Sequence, residues 1–330
     1  MWKYVLKRLL MMIPVLIGVT FVVFFILALS PGDPAKMILG EQATQESIDA
    51  LHEELGLDDP LLVRYGRYML GVVQGDLGRS YKNNIDVASQ VLDRFPNTLI
   101  LAVAGMLVAL VIGIPIGILS ARKQYSWMDN VSTVFGLVGV AMPNFWLGLL
   151  LVMAFSLNLG WLPSSGMGEG AVPLLKSLIL PAITLGTGTA ATILRMTRSS
   201  MLEVIRQDYI DTARAKGLKE KFVVRRHMLK NALVPIITVT GLQFGTLLGG
   251  AALTETIFSW PGLGRFMVDS IKSKDMPMVL GSVLFLAVVY SVVNLLVDIL
   301  YAYVDPRIKS QYKAGGGRKK KKTETAGLAA

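Results

Sequence analysis

The chain has 330 residues, of which 53% are hydrophobic and 17% charged, and its mean hydropathy is +0.54. Soluble domains carry roughly 25% charged residues, so this composition indicates a membrane protein. Cysteine is absent, which excludes disulfides, thiolate metal ligands and a cysteine nucleophile, and only two histidines, His52 and His227, are present, which nearly excludes a multi-histidine metal site. The net charge of +10 suits nucleic acid or a membrane surface, and its distribution decides between them.

Six apolar segments are long enough to cross a hydrocarbon layer of about 30 Å, which takes roughly 20 helical residues. Backbone groups in lipid must be satisfied within their own segment, so each is predicted to be a helix. The segments lie near 9–30, 98–120, 132–156, 177–197, 234–256 and 281–303. The first resembles a signal peptide but is longer than the roughly 7–15 apolar residues of one, which favours an uncleaved anchor over residues 1–30.

The number of lysine and arginine residues is alternately high and low in successive segments that connect the predicted spans. Segment 195–232 carries ten against four acids and the tail from 305 carries eight against two, whereas 31–96 carries six against eleven. By the positive-inside rule, 195–232 and both termini are predicted to be cytoplasmic and 31–96 external. The predicted fold is an all-α polytopic membrane protein with six transmembrane helices, N-in and C-in.

An external cap is expected between the first two spans, over 31–96. Its helix "TQESIDALHEELGL" begins at a capping Thr44 and ends near Gly56, and a second helix runs through "PLLVRYGRYMLGVV". Residues 97–304 form the core, and the Gly-rich, basic tail 305–330 is predicted to be disordered and able to contact anionic lipid.

Catalytic patterns are missing from the chain. It contains no G-x-x-x-x-G-K-[ST] phosphate loop, no H-E-x-x-H pair and no G-x-S-x-G elbow, so no catalytic residue, metal site or cofactor is predicted. Ionisable residues, the usual markers of ion-coupled carriers, are almost absent from the spans. The exception, Asp298, is expected to bond Asn294 or a neighbouring helix.

The basic stretch "DYIDTARAKGLKEKFVVRRHMLKNALVP", residues 208–235, lies in a segment that predicts two short helices around Gly217. The first helix, "MLEVIRQDYIDTARAK", places Val204, Ile205, Tyr209 and Ala213 roughly on one face, and the second begins in "KEKFVVRRHMLKNAL".

If this helix pair bound nucleic acid, Arg225, Arg226 and Lys230 of the second helix would contact phosphates. Both ends of this stretch join membrane spans, which argues against nucleic acid as a partner. A merely solvated basic loop, whose charge only sets orientation, is the plainer alternative.

"DTARAKG" resembles the EAA-x-x-x-G loop of ATP-binding-cassette importer permeases. The resemblance places Asp211, Thr212 and Ala213 at the E-A-A positions, Gly217 at the glycine and Leu229 at a family leucine, in a coupling loop over 201–232. In the family this helix sits in a groove of the ATPase, so the small Ala213 is expected to allow close contact. His227 and Lys230 depart from the family's isoleucine and proline.

Most of the chain resembles the first permease subunit of the dipeptide/oligopeptide/nickel group. The matching pieces are "SPGDP", "LGLDDPLLVRYGRY", "GDLGRS", "RMTRSSMLEVIRQDYIDTARAKGL", "LTETIFSWPGLGR" and "NLLVDILYAYVDPR". The resemblance implies a type I importer fold in a bacterial or archaeal cell membrane. It also implies a homologous second permease, two cytoplasmic ATPases that carry ATP and Mg²⁺, and an external solute-binding protein.

The resemblance leaves the substrate open. It implies import of dipeptides or oligopeptides, with glutathione-type molecules or a nickel chelate as alternatives in the same group. A stand-alone channel or ion-coupled carrier is the competing class.

The segment "TETIFSWPGLGRF" allows two interpretations. Phe258, Trp260 and Phe266, around Pro261, have the composition of an aromatic belt at the membrane interface. The family resemblance instead implies an external gate or scoop loop that faces the binding protein.

Overall fold

The computed structural model describes residues 2–29, 33–40 and 42–304, and within these ranges it is helical with no β-strand. The predictions for 305–330 lie outside the described residues. The helices are α1 (Trp2–Leu29), α2 (Pro34–Leu39), α3 (Gln45–Leu55), α4 (Leu61–Val73), α5 (Val87–Arg122), α6 (Trp127–Ala141), α7 (Asn144–Leu151), α8 (Ala171–Ile205), α9 (Asp208–Ala215), α10 (Glu220–Phe222), α11 (Leu229–Ile257), α12 (Leu263–Lys272) and α13 (Met276–Val304). Val152–Asn158 and Val223–Met228 are π-helical.

Five helical segments within the described ranges are long and apolar enough to cross a membrane, and six if one bent pair counts as a single span. The bent pair is the predicted span 132–156, which is not one straight helix. It consists of α6 and Asn144–Asn158, which meet at 103°. Pro143 explains the break, because proline disfavours helical dihedrals in the residue before it, and Met142 is extended at φ −75° and ψ 123°.

The predicted cap contains α2, α3 and α4. Thr44 accepts a hydrogen bond from the Ser47 amide and Gly56 ends α3 in the left-handed conformation, as the sequence predicts. The cap is shorter than predicted at its far end, because α5 begins at Val87, where the Asp86 carboxylate accepts a hydrogen bond from the Ser89 amide. The first turns of α5 therefore lie in the segment assigned to the cap.

The core is built around α5 and α8, which pack closely along their length. Gly113 and Gly117 of α5 make this approach possible, since a Cβ at either position would lie 2.7 Å from Ala190 or Thr197 of α8. Helix α1 lies at the edge against α13 and α4. Arg8 of α1 pairs with Asp298 of α13 at 2.8 Å, so Asp298 bonds a neighbouring helix.

Candidate coupling surface and external loop

Helix α9 is anchored on the ends of three long helices. Its Ile210 and Ala213 are buried, and they belong to one apolar cluster with residues of the following linker. The rest of the cluster comes from α5, α8, the linker and α11: Ala121, Met201, Val223, Val224, Met228, Ala232 and Ile236. Because α9 shares a core with three spans, its position is tied to theirs.

The predicted EAA residues point in two directions. Asp211 and Thr212 are exposed, whereas Ala213 is 6% exposed and packs into the chain's own cluster. The expectation that Ala213 allows close contact with a partner is therefore wrong in its geometry. Its small side chain instead lets α9 lie close to its own linker. Leu229 is partly buried against the same cluster.

Gly217 ends the turn after α9, as predicted. Its φ is +76°, its amide donates to the Arg214 carbonyl at 2.9 Å, and the Leu218 amide reaches back to the Ala213 carbonyl at 3.4 Å. This left-handed conformation favours glycine. A Cβ added at Gly217 would meet nothing within 4 Å, so the requirement is purely conformational.

Polar contacts join α9 to the helix that follows it. Arg214 contacts Glu220 of the following helix at 3.2 Å and, within α9, Asp211 at 3.4 Å. Asn231 of α11 donates to the Tyr209 hydroxyl at 2.8 Å. These groups are exposed, so each contact contributes only about 0–1 kcal/mol, and the apolar cluster dominates the attachment.

The predicted pair of short helices differs from the observed arrangement. The first predicted helix is broken near Arg206 and Gln207, which places Val204 and Ile205 at the end of α8. The second is not a separate element, because Glu220–Ile257 forms one continuous helical segment that becomes a span. The predicted coupling loop is therefore one short helix, α9, between two long ones.

A buried ionic network lies close to this region, and sequence reasoning did not find it. Asp129 of α6 is 3% exposed and accepts from Arg198 of α8 at 2.7 and 2.8 Å. Ser120 of α5 donates to the same carboxylate at 2.5 Å, and the Tyr125 amide donates at 3.0 Å. The network joins three helices, and its two charged members, Asp129 and Arg198, lie 69 positions apart in the chain.

The aromatic side chains of the loop between α11 and α12 are mostly buried. Phe258 is 1% and Trp260 0% exposed, and the Trp260 Nε1 donates to the Asn97 carbonyl at 2.9 Å. Neither ring faces lipid, so the belt interpretation is wrong for both. Pro261 is exposed, and the half-buried Phe266 lies under the Arg94 guanidinium, 4.1 Å from its ring centroid.

The same loop is held by a buried carboxylate that the sequence analysis passed over. Glu255 of α11 is fully buried and accepts from the Thr98 hydroxyl at 2.6 Å and from the Arg265 amide at 2.8 Å. The Leu263 amide donates to the Thr98 oxygen at 2.8 Å. Two side chains from α5 and α11 thus satisfy free amides at the start of α12. The loop conformation is fixed by these contacts.

Comparison with known proteins identifies the family. Residues 113–310 match the family described as "Binding-protein-dependent transport system inner membrane component". The chain belongs to this family. Residues 1–102 match "Binding-prot-dependent transport system membrane comp, N-term". The two matched ranges together include the predicted cap and the predicted coupling loop.

Curated relatives of this transport component align over nearly the whole chain. It is 47% identical to the dipeptide transport system permease protein DppB of Alkalihalophilus pseudofirmus, over 94% of this chain and 100% of that one. It is 43% identical to the oligopeptide transport system permease protein AppB of Bacillus subtilis, with 94% and 100% covered. It is 41% identical to the glutathione transport system permease protein GsiC of Escherichia coli K12, with 94% and 99% covered.

Solved structures show the same fold at low sequence identity. Two crystal forms of inward-facing conformations of the MetNI methionine ABC transporter match with TM-scores of 0.52 and 0.54, each at 19% identity. The matches cover 66% of this chain and 97% and 96% of those chains. The predicted permease fold and family are confirmed.

Proposed function

We propose that this chain is a permease subunit of an ATP-driven importer of peptides, in which it forms half of the translocation pathway. The dipeptide and oligopeptide permeases among its relatives support a peptide substrate. Glutathione, itself a small peptide, is the second candidate, because the GsiC relative aligns over the same 94% of the chain.

The assembly we propose has four kinds of component. A homologous second permease completes the pathway, two cytoplasmic ATPases carry the ATP and Mg²⁺, and an external solute-binding protein delivers the substrate. The chain crosses the membrane several times with both termini and α9 in the cytoplasm, as its distribution of lysine and arginine indicates. In this orientation the exposed Pro261 and the cap face the binding protein.

The observation that carries the proposal is the packing of α9 against the ends of the spans. Its inner face shares an apolar core with α5, α8 and α11, and its outer face presents Asp211 and Thr212. An ATPase that grips the outer face would move α9 and, through the packed core, the ends of the spans. Packed cores move as rigid units, so closure of the ATPases would switch the pathway between inward- and outward-open states.

The proposal is tested by reversing the charge of the outer face. Asp211→Lys should abolish substrate-stimulated ATPase activity and transport while the chain still inserts into the membrane. Glu169→Lys, an exposed charge reversal outside the coupling loop, is the control and should behave like wild type. Normal coupling in the Asp211→Lys importer would refute the assignment of α9.

Orientation and substrate are tested separately. A reporter fused after Gly78 should read as external and one after Glu220 as cytoplasmic, and the opposite result would invert the topology. Uptake of a radiolabelled dipeptide, with unlabelled glutathione as competitor, would separate the two substrate classes.

A further inference from the structure

A cavity of about 610 Å³ lies between the cap and the membrane helices, away from both α9 and the α11–α12 loop. Its walls come from α3, α4 and the turn at 76–84, and from one end of α1 and the first turns of α13. It lies on the opposite side of the spans from α9, because α11 separates the coupling loop from the start of α13. None of the groups assigned to coupling lines it.

Three guanidinium groups line this cavity, and two of them have weak partners. Arg67 pairs with Asp59 at 2.5 Å. Arg64 donates to the Leu57 carbonyl at 3.3 Å and Arg79 to the Asn84 carbonyl at 3.4 Å. Within the residues that the structure describes, neither Arg64 nor Arg79 has an Asp or Glu side chain at ion-pair distance. Because each of these contacts is long and goes to a neutral carbonyl, the guanidinium N–H groups of Arg64 and Arg79 remain available to an anionic acceptor.

The cavity wall has one more unused polar atom. The Tyr68 hydroxyl is buried and has no hydrogen-bond partner within the described part of the chain. Burial raises the pKa of Tyr68, so the group stays neutral and able to donate. A buried polar atom without a partner is costly, and buried polar groups in folded proteins are normally satisfied by protein or by a bound molecule.

Part of the remaining wall is apolar, and it includes a residue of α1. Phe24 of α1 and Met276 and Leu280 of α13 are 3%, 7% and 2% exposed beneath the cap. On other faces of the same end of α1, Val22 is 54% and Ile26 60% exposed, as expected of a helix that faces acyl chains. The cavity therefore combines two guanidinium groups without an acidic partner in the described residues with an apolar wall.

We propose that this cavity binds a phospholipid with an anionic headgroup. Its phosphate accepts hydrogen bonds from Arg64, Arg79 and the Tyr68 hydroxyl, and part of an acyl chain lies along Phe24 and Leu280. Carboxylates also line the cavity, at Glu54 and Asp76, and Asp59 neutralises Arg67. The preference for an anion therefore rests on Arg64 and Arg79, which have no carboxylate at ion-pair distance within the described residues. A bound lipid would fix the cap to α1 and α13, which surround it.

Binding is measured with the full-length chain, purified with the subunits that accompany it, by native mass spectrometry and by thermal shift. Phosphatidylglycerol is titrated against phosphatidylcholine, sn-glycerol 3-phosphate and a dipeptide. Phosphatidylglycerol should bind at least about tenfold more tightly than each of the other three. Arg64→Ala/Arg79→Ala should lower this affinity by about tenfold or more, and Arg64→Lys/Arg79→Lys by less.

Two further variants separate binding from folding. Tyr68→Phe removes only the hydroxyl and should weaken phosphatidylglycerol binding severalfold without lowering the melting temperature of the lipid-free protein. Lys272→Ala removes an exposed cation elsewhere on the same side and should have no effect on binding.

Four results would overturn the proposal. Equal affinity for phosphatidylcholine would remove the anionic specificity, and equal affinity for glycerol 3-phosphate would make this a site for a free anion. Unchanged lipid binding in Arg64→Ala/Arg79→Ala, or competition by the dipeptide, would place the lipid elsewhere or give the cavity to substrate.

Discussion

Replacing Asp129 by alanine tests whether the buried network holds α5, α6 and α8 together. The carboxylate is 3% exposed and accepts two hydrogen bonds from Arg198, one from Ser120 and one from the Tyr125 amide. Removing one partner of a buried pair costs about 3–5 kcal/mol, since the remaining charge is left uncompensated. The Arg198 side chain is 28% exposed and regains some water, so we expect the lower end, about 3 kcal/mol.

The assay is equilibrium unfolding in detergent, followed by helical circular dichroism, with the free energy taken at an unchanged denaturant slope. Asp129→Leu/Arg198→Met is the control, because replacing a buried ion pair by apolar groups of similar volume is often nearly neutral. A loss below about 1 kcal/mol for Asp129→Ala would refute the reasoning. So would a double variant as unstable as the single one, because the cost would then not come from the stranded Arg198 charge.

Three further predictions concern single positions. Gly217→Ala should destabilise by about 1 kcal/mol, because only the positive φ opposes the new methyl group, and the same unfolding assay checks it. Trp260→Phe removes the donor to the Asn97 carbonyl and should cost about 1–3 kcal/mol, while hydrogen exchange should rise in the α11–α12 loop. The hydrogen bond from His52 to Asp33, together with its contact to Asp58, raises the pKa of His52 above 6.5, so its contribution is complete below pH 6.5 and is lost as pH rises through the raised pKa. After correction for the intrinsic, base-catalysed rise of amide exchange with pH, hydrogen exchange of the cap should therefore accelerate over that range in wild type. The corrected rate should be independent of pH there in His52→Gln.

The spans were predictable because their signal is local. Length and hydropathy identify a membrane helix without knowledge of its neighbours. The break in 132–156 also has a local cause, Pro143, but the apolar residues on both sides of it predict one uninterrupted span. The continuity of 220–257 was harder to predict, because the charged residues between 219 and 230 lower the hydropathy while leaving the helix intact.

The orientation of α9 shows where a periodic pattern fails. Extending one helix from Val204 through Tyr209 to Ala213 places Tyr209 on the inner face, but the chain breaks near Arg206. The restarted helix turns Ile210 and Ala213 inward and leaves Tyr209 41% exposed. Once the start at Asp208 is known, the three-residue spacing of Ile210 and Ala213 gives the buried face directly.

The buried polar groups could not be predicted, because each depends on partners distant in the chain. Asp129 and Arg198 lie 69 positions apart and Thr98 and Glu255 157 apart. Nothing in the local sequence distinguishes such residues from solvated ones near a helix end. Only the packing of α6 against α8, and of α5 against α11, brings them together.

These long-range contacts determine how a displacement of α9 would be transmitted to the other end of the spans. The apolar cluster fixes α9 to α5, α8 and α11, and the Asp129–Arg198 pair adds α6 to the same unit. At the other end of α5 and α11, Thr98 and Glu255 hold the start of α12. A displacement of α9 is therefore expected to reach the α11–α12 loop through α5 and α11 moving as rigid bodies, since the buried contacts at both ends resist bending between them. The proposed coupling surface and the proposed external loop are two ends of the same pair of helices.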